Sequence, residues 1–542
     1  MTAARAVTLL AAATVLGLLP FADKAFHMDD PQFLWTARQI LSHPADFYGF
    51  SMNWFWTELP MAEATSNPPL TAYAIALVAS VAGLRELPLH LAFILPAVAA
   101  VIGTYGLAAR LTSRPALAAA IAAATPAFVV SATTLMADIL LLACWTWAVV
   151  LWIQGIETRR PWLLAGSAAL VALAALTKYY GVALIPLLVV YAVARERRVT
   201  AALAWLAIPM VILAAYDLYT LALYDRALFF DSAFRATEAR SAAGHSFVGR
   251  SVVGLAFTGG CLATVALYAP LVWSRRWLVT GLPLAAVGVL AAAYAERLGI
   301  GSARMPWALL VQLVLFGVGA VGLLALAIID LWQRRDHDAL LLFLWMAGGF
   351  VFAAVVNSTI NGRSILIMAP PAAILVARRL DARAGAPREP RTWRVWAPVA
   401  AGVLLSLAVA WADYVLAGGG RIAAASIHNE YGGPGRTIWI QGHWGFQYYM
   451  EARGARVIDL ARSALTAGDL MVIPANNTNT FPLTVPSTVL RVVEVPSPRW
   501  LTTTHPLRGA GFYSDFLGPL PFAVGPVPPE RYWVIRIDKS AP

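Results

Sequence analysis

Charge is scarce in this chain. Asp, Glu, Lys and Arg make up 13% of 542 residues, and apolar types make up 60%. A water-soluble chain of that length needs far more polar side chains to cover its surface. The mean hydropathy of +0.68 points the same way. Cysteine is nearly absent, and both copies, Cys144 and Cys261, sit inside apolar runs, where they read as small core residues rather than a disulfide pair and say nothing about redox compartment. No internal repeat is visible, which argues against an inverted-repeat transporter. The excess of basic residues, net +11, does not form the continuous patch of a nucleic-acid binder. It lies in short clusters between apolar runs, as in loops that face anionic lipid.

What the chain has is long apolar runs. Stretches able to cross a hydrocarbon core of about 30 Å lie near 5–22, 68–84, 88–110, 115–134, 136–155, 162–177, 180–195, 201–224, 251–273, 277–296, 306–332, 338–357, 362–380 and 396–417. Run 5–22 lacks a clear small-residue cleavage site and is expected to stay as an anchor. Charge then orients the runs. The clusters Arg195-Glu196-Arg197-Arg198 and 378–395, with Arg378, Arg379, Arg383, Arg388, Arg391 and Arg394, mark the cytoplasmic side. That choice also places Arg5, Arg110, Arg114, Arg159-Arg160, Arg275-Arg276 and Arg334-Arg335 inside. It leaves no crossing for 68–84, which opens with Asn67-Pro68-Pro69 and is short, so a juxtamembrane or re-entrant helix is expected there.

The expected architecture is an α-helical polytopic membrane protein with about thirteen transmembrane helices over 1–417. Residues 23–67 form its first outer loop and 68–84 a juxtamembrane helix. A small extracytoplasmic α/β domain follows over 418–542. The triplet Gly418-Gly419-Gly420 is read as the end of the last membrane helix. Beyond it come short β-rich runs at Thr437–Gln441, Asp469–Ile473, Val489–Val495 and Tyr532–Ile537, separated by Pro- and Asn-rich turns. The stretch from Ile440 to Tyr449 reads as a strand closing onto a helix within that domain's core; its functional alternative is an aromatic platform that stacks on a sugar acceptor.

With this topology, the polar residues near the membrane gather on the outer face. Asp29 and Asp30 follow the first run, Asp138 opens a span, Lys178 and Tyr179 occupy a turn between two spans, and Arg363 starts another. Ionisable groups at membrane depth are costly and are usually kept for a task. Each also has a plain structural reading. Asp29, Asp30 and Asp138 could cap helices, and Lys178 could reach the headgroups. Asp217 and Asp413 lie beside tyrosines near span ends and read as interfacial residues. Taken together, carboxylates and cations at one depth suit a reaction with an anionic leaving group and a carboxylate base.

The motifs in order resemble those of the GT-C membrane glycosyltransferases. The relevant branch contains the protein O-mannosyltransferases, the lipid A aminoarabinose transferase and the rhizobial core glycosyltransferases. The acid pair Asp29-Asp30 followed by Ala37-Arg38-Gln39-Ile40-Leu41 resembles the family's first-loop signature, and Asn67-Pro68-Pro69-Leu70 its entry to a membrane helix. Leu135-Met136-Ala137-Asp138-Ile139-Leu140-Leu141 resembles the second acidic motif, Leu176-Thr177-Lys178 the Leu-Thr-Lys turn, and Arg363 with Pro370-Pro371 the late arginine span. The resemblance covers roughly residues 1–380. It departs at Asn67, where the aminoarabinose transferase has a lysine, and at Asp30, where the family usually has Glu.

The resemblance implies an inverting glycosyltransferase of the cell (inner) membrane. It would move a sugar from a polyprenyl-phosphate donor to an extracytoplasmic acceptor: glycolipid, wall glycan or protein. Asp29 would be the base, Asp30 its support and Asp138 an orienting acid. Lys178 and Arg363 would meet the donor phosphate, with Asn67 and Tyr179 beside it. Two acids and a phosphate could hold a divalent metal, but no compact ligand cluster demands one, and metal-independent transfer is expected. The rival class is a transporter or flippase of lipid-linked sugars, which calls for acids near mid-membrane.

Overall fold

The structure is a computed structural model describing residues 2–242, 246–296, 299–300, 303–383, 391–433 and 436–540. Arg388 of the basic stretch lies outside the described residues. The chain is a polytopic helical membrane protein with a C-terminal sheet-containing domain. Among the described residues, nine helices are long and apolar enough to cross a bilayer, and ten if a bent pair counts as one span. That measure does not reach thirteen, for a physical reason. The run 115–134 is split into Pro115–Ala123 and Pro126–Ala132, bent by 63° at a proline. The run 162–177 makes the short apolar helix Pro161–Thr177. The run 251–273 becomes Phe247–Cys261 followed by two single turns. The run 362–380 is divided into Gly362–Ile365 and Ala369–Asp381 by a tighter turn. A hydropathy window does not register such breaks.

Three further features place the site. The segment 68–84 folds as the short helix Leu70–Ala82, started by Pro68-Pro69 and stopped at Gly83, whose φ of 74° suits glycine. It packs on helix Asp30–Ser42. Its outward face leaves Leu77 and Val81 at 74% and 91% exposure, a surface that lipid would cover. The last long helix runs unbroken from Thr392 to Tyr431, so the glycine triplet does not end it. Gly419 and Gly420 are instead buried within it, and Gly420 lies against the backbone of Phe446. Both cysteines are buried and free.

Past that helix, a five-stranded sheet has the order Arg456–Val457, Ile438–Ile440, Leu470–Pro474, Glu530–Ile537, Ser487–Val495. The first three strands are parallel and the last two join antiparallel. Alternating burial along Glu530–Ile537 puts Tyr532 and Val534 in the core. Helix Trp444–Glu451 packs between the sheet and the long helix. Gly445 admits no side chain, because a Cβ there would lie 1.9 Å from the carbonyl oxygen of Phe26. The domain is thus docked onto the first loop as well as on the last helix.

Candidate active site

Asp29 precedes helix Asp30–Ser42, whose first turn holds Pro31, a favoured place for proline. Its carboxylate makes no capping hydrogen bond. It reaches instead to Arg363, whose Nη1 lies 3.1 Å from Asp29 Oδ2. Arg363 is presented by the turn Gly362–Ile365, capped by the Asn361 side chain, which accepts from Ser364 N at 2.8 Å. Asp138 is the first residue of helix Asp138–Thr158, just after its N-cap Ala137. It takes Lys178 Nζ at 2.7 Å, and Lys178 sits in extended backbone between two helices. Charges this poorly exposed have to be paired or the structure loses stability; the Asp138 side chain is 3% exposed.

These groups line one cavity of about 960 Å³, with Asn67 and Tyr179. One end is polar, built from the two ion pairs. The other is apolar, walled by Leu187, Val190, Leu344 and Phe352 of helices Tyr179–Glu196 and His337–Val356. Tyr179 Oη shares a hydrogen bond of 2.9 Å with Tyr216 Oη. Asn67 contributes its carbonyl to Tyr48 Oη at 2.5 Å.

Asp30 is the exception among the residues singled out from sequence, because it does not line the cavity. It is fully buried and accepts the backbone N–H groups of His27 at 2.9 Å and Leu135 at 3.0 Å. It therefore stitches the first loop to the turn before Asp138. Burial pushes its carboxyl up to about 7, against those hydrogen bonds and the charge of Lys24. Neighbouring His27 is pushed down to about 4, chiefly by burial. In the opposite domain, burial holds His443 down at about 3. His443 bridges Asn479 and Thr478 through its two ring nitrogens, at 2.8 and 2.9 Å. The strand-to-helix stretch around it is buried, with Gln441 at 0% and Trp444 at 7% exposure.

Sequence reasoning missed Arg235 and Tyr513, and read Asp413 and Asp217 as interfacial. Arg235 lines the cavity beside Asn67, held by the carbonyls of Glu63 and Thr65, the latter at 2.9 Å. Only its place in the polar segment between two spans could have flagged it. Asp413 is fully buried, not interfacial. It takes Lys24 Nζ at 2.5 Å and the hydroxyls of Thr503 and Tyr513 at 2.6 Å each. Asp217 is also buried, at 6% exposure, where it accepts the backbone N–H of Phe229. Tyr513, 150 residues beyond Arg363 in sequence, lies with its ring 5.6 Å from the Arg363 guanidinium. Among the described residues no group of three or more His, Cys, Asp or Glu side chains could hold a metal ion.

A second, polar cleft of about 610 Å³ separates helix Asp30–Ser42 from the C-terminal domain. Trp35, Arg38, Gln39 and Ser42, spaced as one helix face, line one wall, and Gln447 and Glu451 line the other.

Residues 66–218 match the model of a family described as dolichyl-phosphate-mannose-protein mannosyltransferase. Among solved structures, ArnT from Cupriavidus metallidurans bound to undecaprenyl phosphate aligns at 15% identity over 88% of this chain and 94% of that one, with a TM-score of 0.47. The oligosaccharyltransferase AglB from Archaeoglobus fulgidus aligns at 12% identity over 86% of this chain and 65% of that one, with a TM-score of 0.48. The mycobacterial arabinofuranosyltransferase AftD aligns at 14% identity over 99% of this chain and 40% of that one, with a TM-score of 0.41. No curated protein matches the sequence. The matched segment contains the Asn67 entry, the Asp138 turn and the Leu-Thr-Lys turn. Over residues 66–218 the sequence is therefore similar to the dolichyl-phosphate-mannose-protein mannosyltransferase family.

Proposed function

We propose that the chain is an inverting glycosyltransferase that takes a sugar from a polyprenyl-phosphate donor at the outer face of the membrane and passes it to a hydroxyl acceptor. The observation that carries this reading is the two-ended cavity. Cations and carboxylates stand at one end and an apolar channel between two membrane helices at the other, the polarity of a lipid phosphate. Asp29 is the base. It removes the acceptor hydroxyl proton as the oxygen attacks the anomeric carbon from the side opposite the phosphate. The anomeric C–O bond to phosphate breaks, and polyprenyl phosphate leaves as an anion stabilised by Lys178 and Arg363. Arg235 supplies a cation where Asn67 lacks one. Asp138 holds Lys178 in place and orients the acceptor, and Asp30 fixes the loop that carries Asp29.

The ion pairs suggest an order of events. Without donor, Arg363 is engaged by Asp29. A phosphate competes for that guanidinium and leaves Asp29 free to accept a proton, so donor binding precedes activation of the acceptor. The polar cleft beside helix Asp30–Ser42 receives the part of the acceptor beyond the reacting hydroxyl. Glycolipid, wall glycan and protein are the acceptor classes. Comparing envelope glycoconjugate masses between wild-type and deletion cells identifies which one is modified.

The test is sugar transfer to that acceptor by purified protein in detergent. Asp29→Asn should lose roughly 10²- to 10⁴-fold in kcat, the usual contribution of a positioned base, with donor binding retained. A folded Asp29→Asn protein with full activity would remove Asp29 from this role. Donor translocation across vesicles without any transfer would favour the flippase reading instead.

A further inference from the structure

We propose that the C-terminal domain sets the site's affinity for the donor phosphate by holding the Arg363 guanidinium on the ring of Tyr513, which makes Tyr513 a positioning residue. This rests on the reading of Arg363 as a phosphate ligand. Residues 512–515 lie directly along 360–362. Phe512 accepts the backbone N–H of Gly362 at 2.7 Å, Asp515 Oδ1 accepts that of Ile360 at 2.9 Å, and Asp515 N donates to the Ile360 carbonyl at 2.9 Å. The approach is as close as glycine permits, since a Cβ on Gly362 would lie 2.5 Å from the Phe512 ring. The turn that presents Arg363 is therefore fastened at three points to a segment of the C-terminal domain.

The side chain is fastened as well. One guanidinium edge faces Asp29, and the Tyr513 ring lies 5.6 Å from the guanidinium carbon, where the electron-rich ring attracts a cation. Arg363 Nε is buried without a hydrogen-bond partner among the described residues, while the 14% of the side chain that stays exposed lines the cavity, where an incoming oxyanion would meet it. The ring itself is fixed. Tyr513 is 4% exposed and its hydroxyl donates to Asp413, which is held in turn by Lys24 and Thr503. Turning the ring away would strand a buried hydroxyl and weaken a buried carboxylate's support. A residue from the far end of the chain thus keeps a flexible arginine in one place before the phosphate arrives, which lowers the ordering cost of binding.

The experiment measures undecaprenyl phosphate affinity of the full-length protein in detergent for wild type, Arg363→Ala, Tyr513→Phe and Tyr513→Leu. Thermal stability of each is recorded beside it. Tyr513→Leu should bind roughly 2- to 30-fold more weakly, the range of a lost cation–ring contact. Tyr513→Phe keeps the ring and should bind close to wild type, although it loses stability with the hydroxyl. A purely structural tyrosine would instead lower stability in both variants and leave affinity unchanged. Should the leucine variant fail to fold, Tyr513→Met fills similar volume without a ring face. Wild-type affinity in the folded Leu or Met variant, with Arg363→Ala weakened, overturns the proposal. So does equal weakening in Phe and Leu. Wild-type affinity in Arg363→Ala overturns the underlying phosphate reading instead.

Discussion

Lys24 Nζ lies 2.5 Å from Asp413 Oδ2, with both side chains fully buried, and so ties the first loop to the last membrane helix across 389 residues of sequence. Each charge is there only because the other is. Asp413 also anchors Thr503 and Tyr513 of the C-terminal domain, which makes this pair the point where three parts of the chain meet.

Breaking the pair from one side is expected to be severe. Asp413→Asn keeps an acceptor for only one of the two hydroxyls, which reach different oxygens, and leaves the ammonium uncompensated, at a cost of about 3–5 kcal/mol. Adding Lys24→Met in the same protein should restore much of it. Thermal unfolding in detergent, with membrane levels as a second reading, checks both.

Lys178→Ala has two consequences. It removes a proposed phosphate ligand and leaves Asp138 buried without its cation. The stability loss should be about 3 kcal/mol, and Asp138→Asn in the same background should recover part of it. A recovery of stability without a recovery of transfer separates the structural role of the pair from its catalytic one.

Glu530 gives a pH signature to the C-terminal domain. Burial pushes its carboxyl up to about 7, with Asn476 donating to it at 3.0 Å and partly opposing the shift. The folded form holds the proton more tightly than the unfolded form, so stability from this group is intact below about 4.5, falls as pH rises toward 7 and levels off beyond. The whole change is on the order of 3 kcal/mol. Glu530→Gln should melt higher than wild type at pH 8 and flatten the dependence between pH 5 and 8.

The polar cleft predicts a separation of substrates. Arg38→Ala and Gln39→Ala alter one wall of it without touching the cavity lined by Asp29, Asp138, Lys178 and Arg363. They should raise KM for the acceptor roughly 3- to 30-fold, as for one or two lost polar contacts, with KM for the donor near wild type. A change in both constants would show that the cleft does not serve the acceptor alone.

Much of this was legible in the sequence, and for one reason. Lipid as solvent imposes long apolar runs, and so makes charged residues conspicuous. Asp29, Asp138, Lys178 and Arg363 stood out on that ground, and the structure gathers all four around one cavity. Four of the five strands of the C-terminal sheet were visible as β-rich runs with turns between them, and Arg456–Val457 was not. The Asp29-Asp30 pair could not be resolved by its order in the chain. Adjacent residues entering a helix point in different directions, so one faces the cavity and the other is swallowed by backbone hydrogen bonds.

By itself, the sequence determined the solvent, the helical class and which ionisable groups were expensive enough to demand an explanation. These are properties of composition and local period. Only the tertiary structure decided the partners. Asp413 looked interfacial by position and proved to be the buried counter-charge of Lys24. Tyr513 carried no signal at all, yet it lies against the arginine of the cavity. Even the glycine triplet at 418–420 kept its helix, because packing against Phe446 makes small residues an asset there. Pairings across hundreds of residues depend on how helices cross and where a docked domain lands, and no local pattern encodes that.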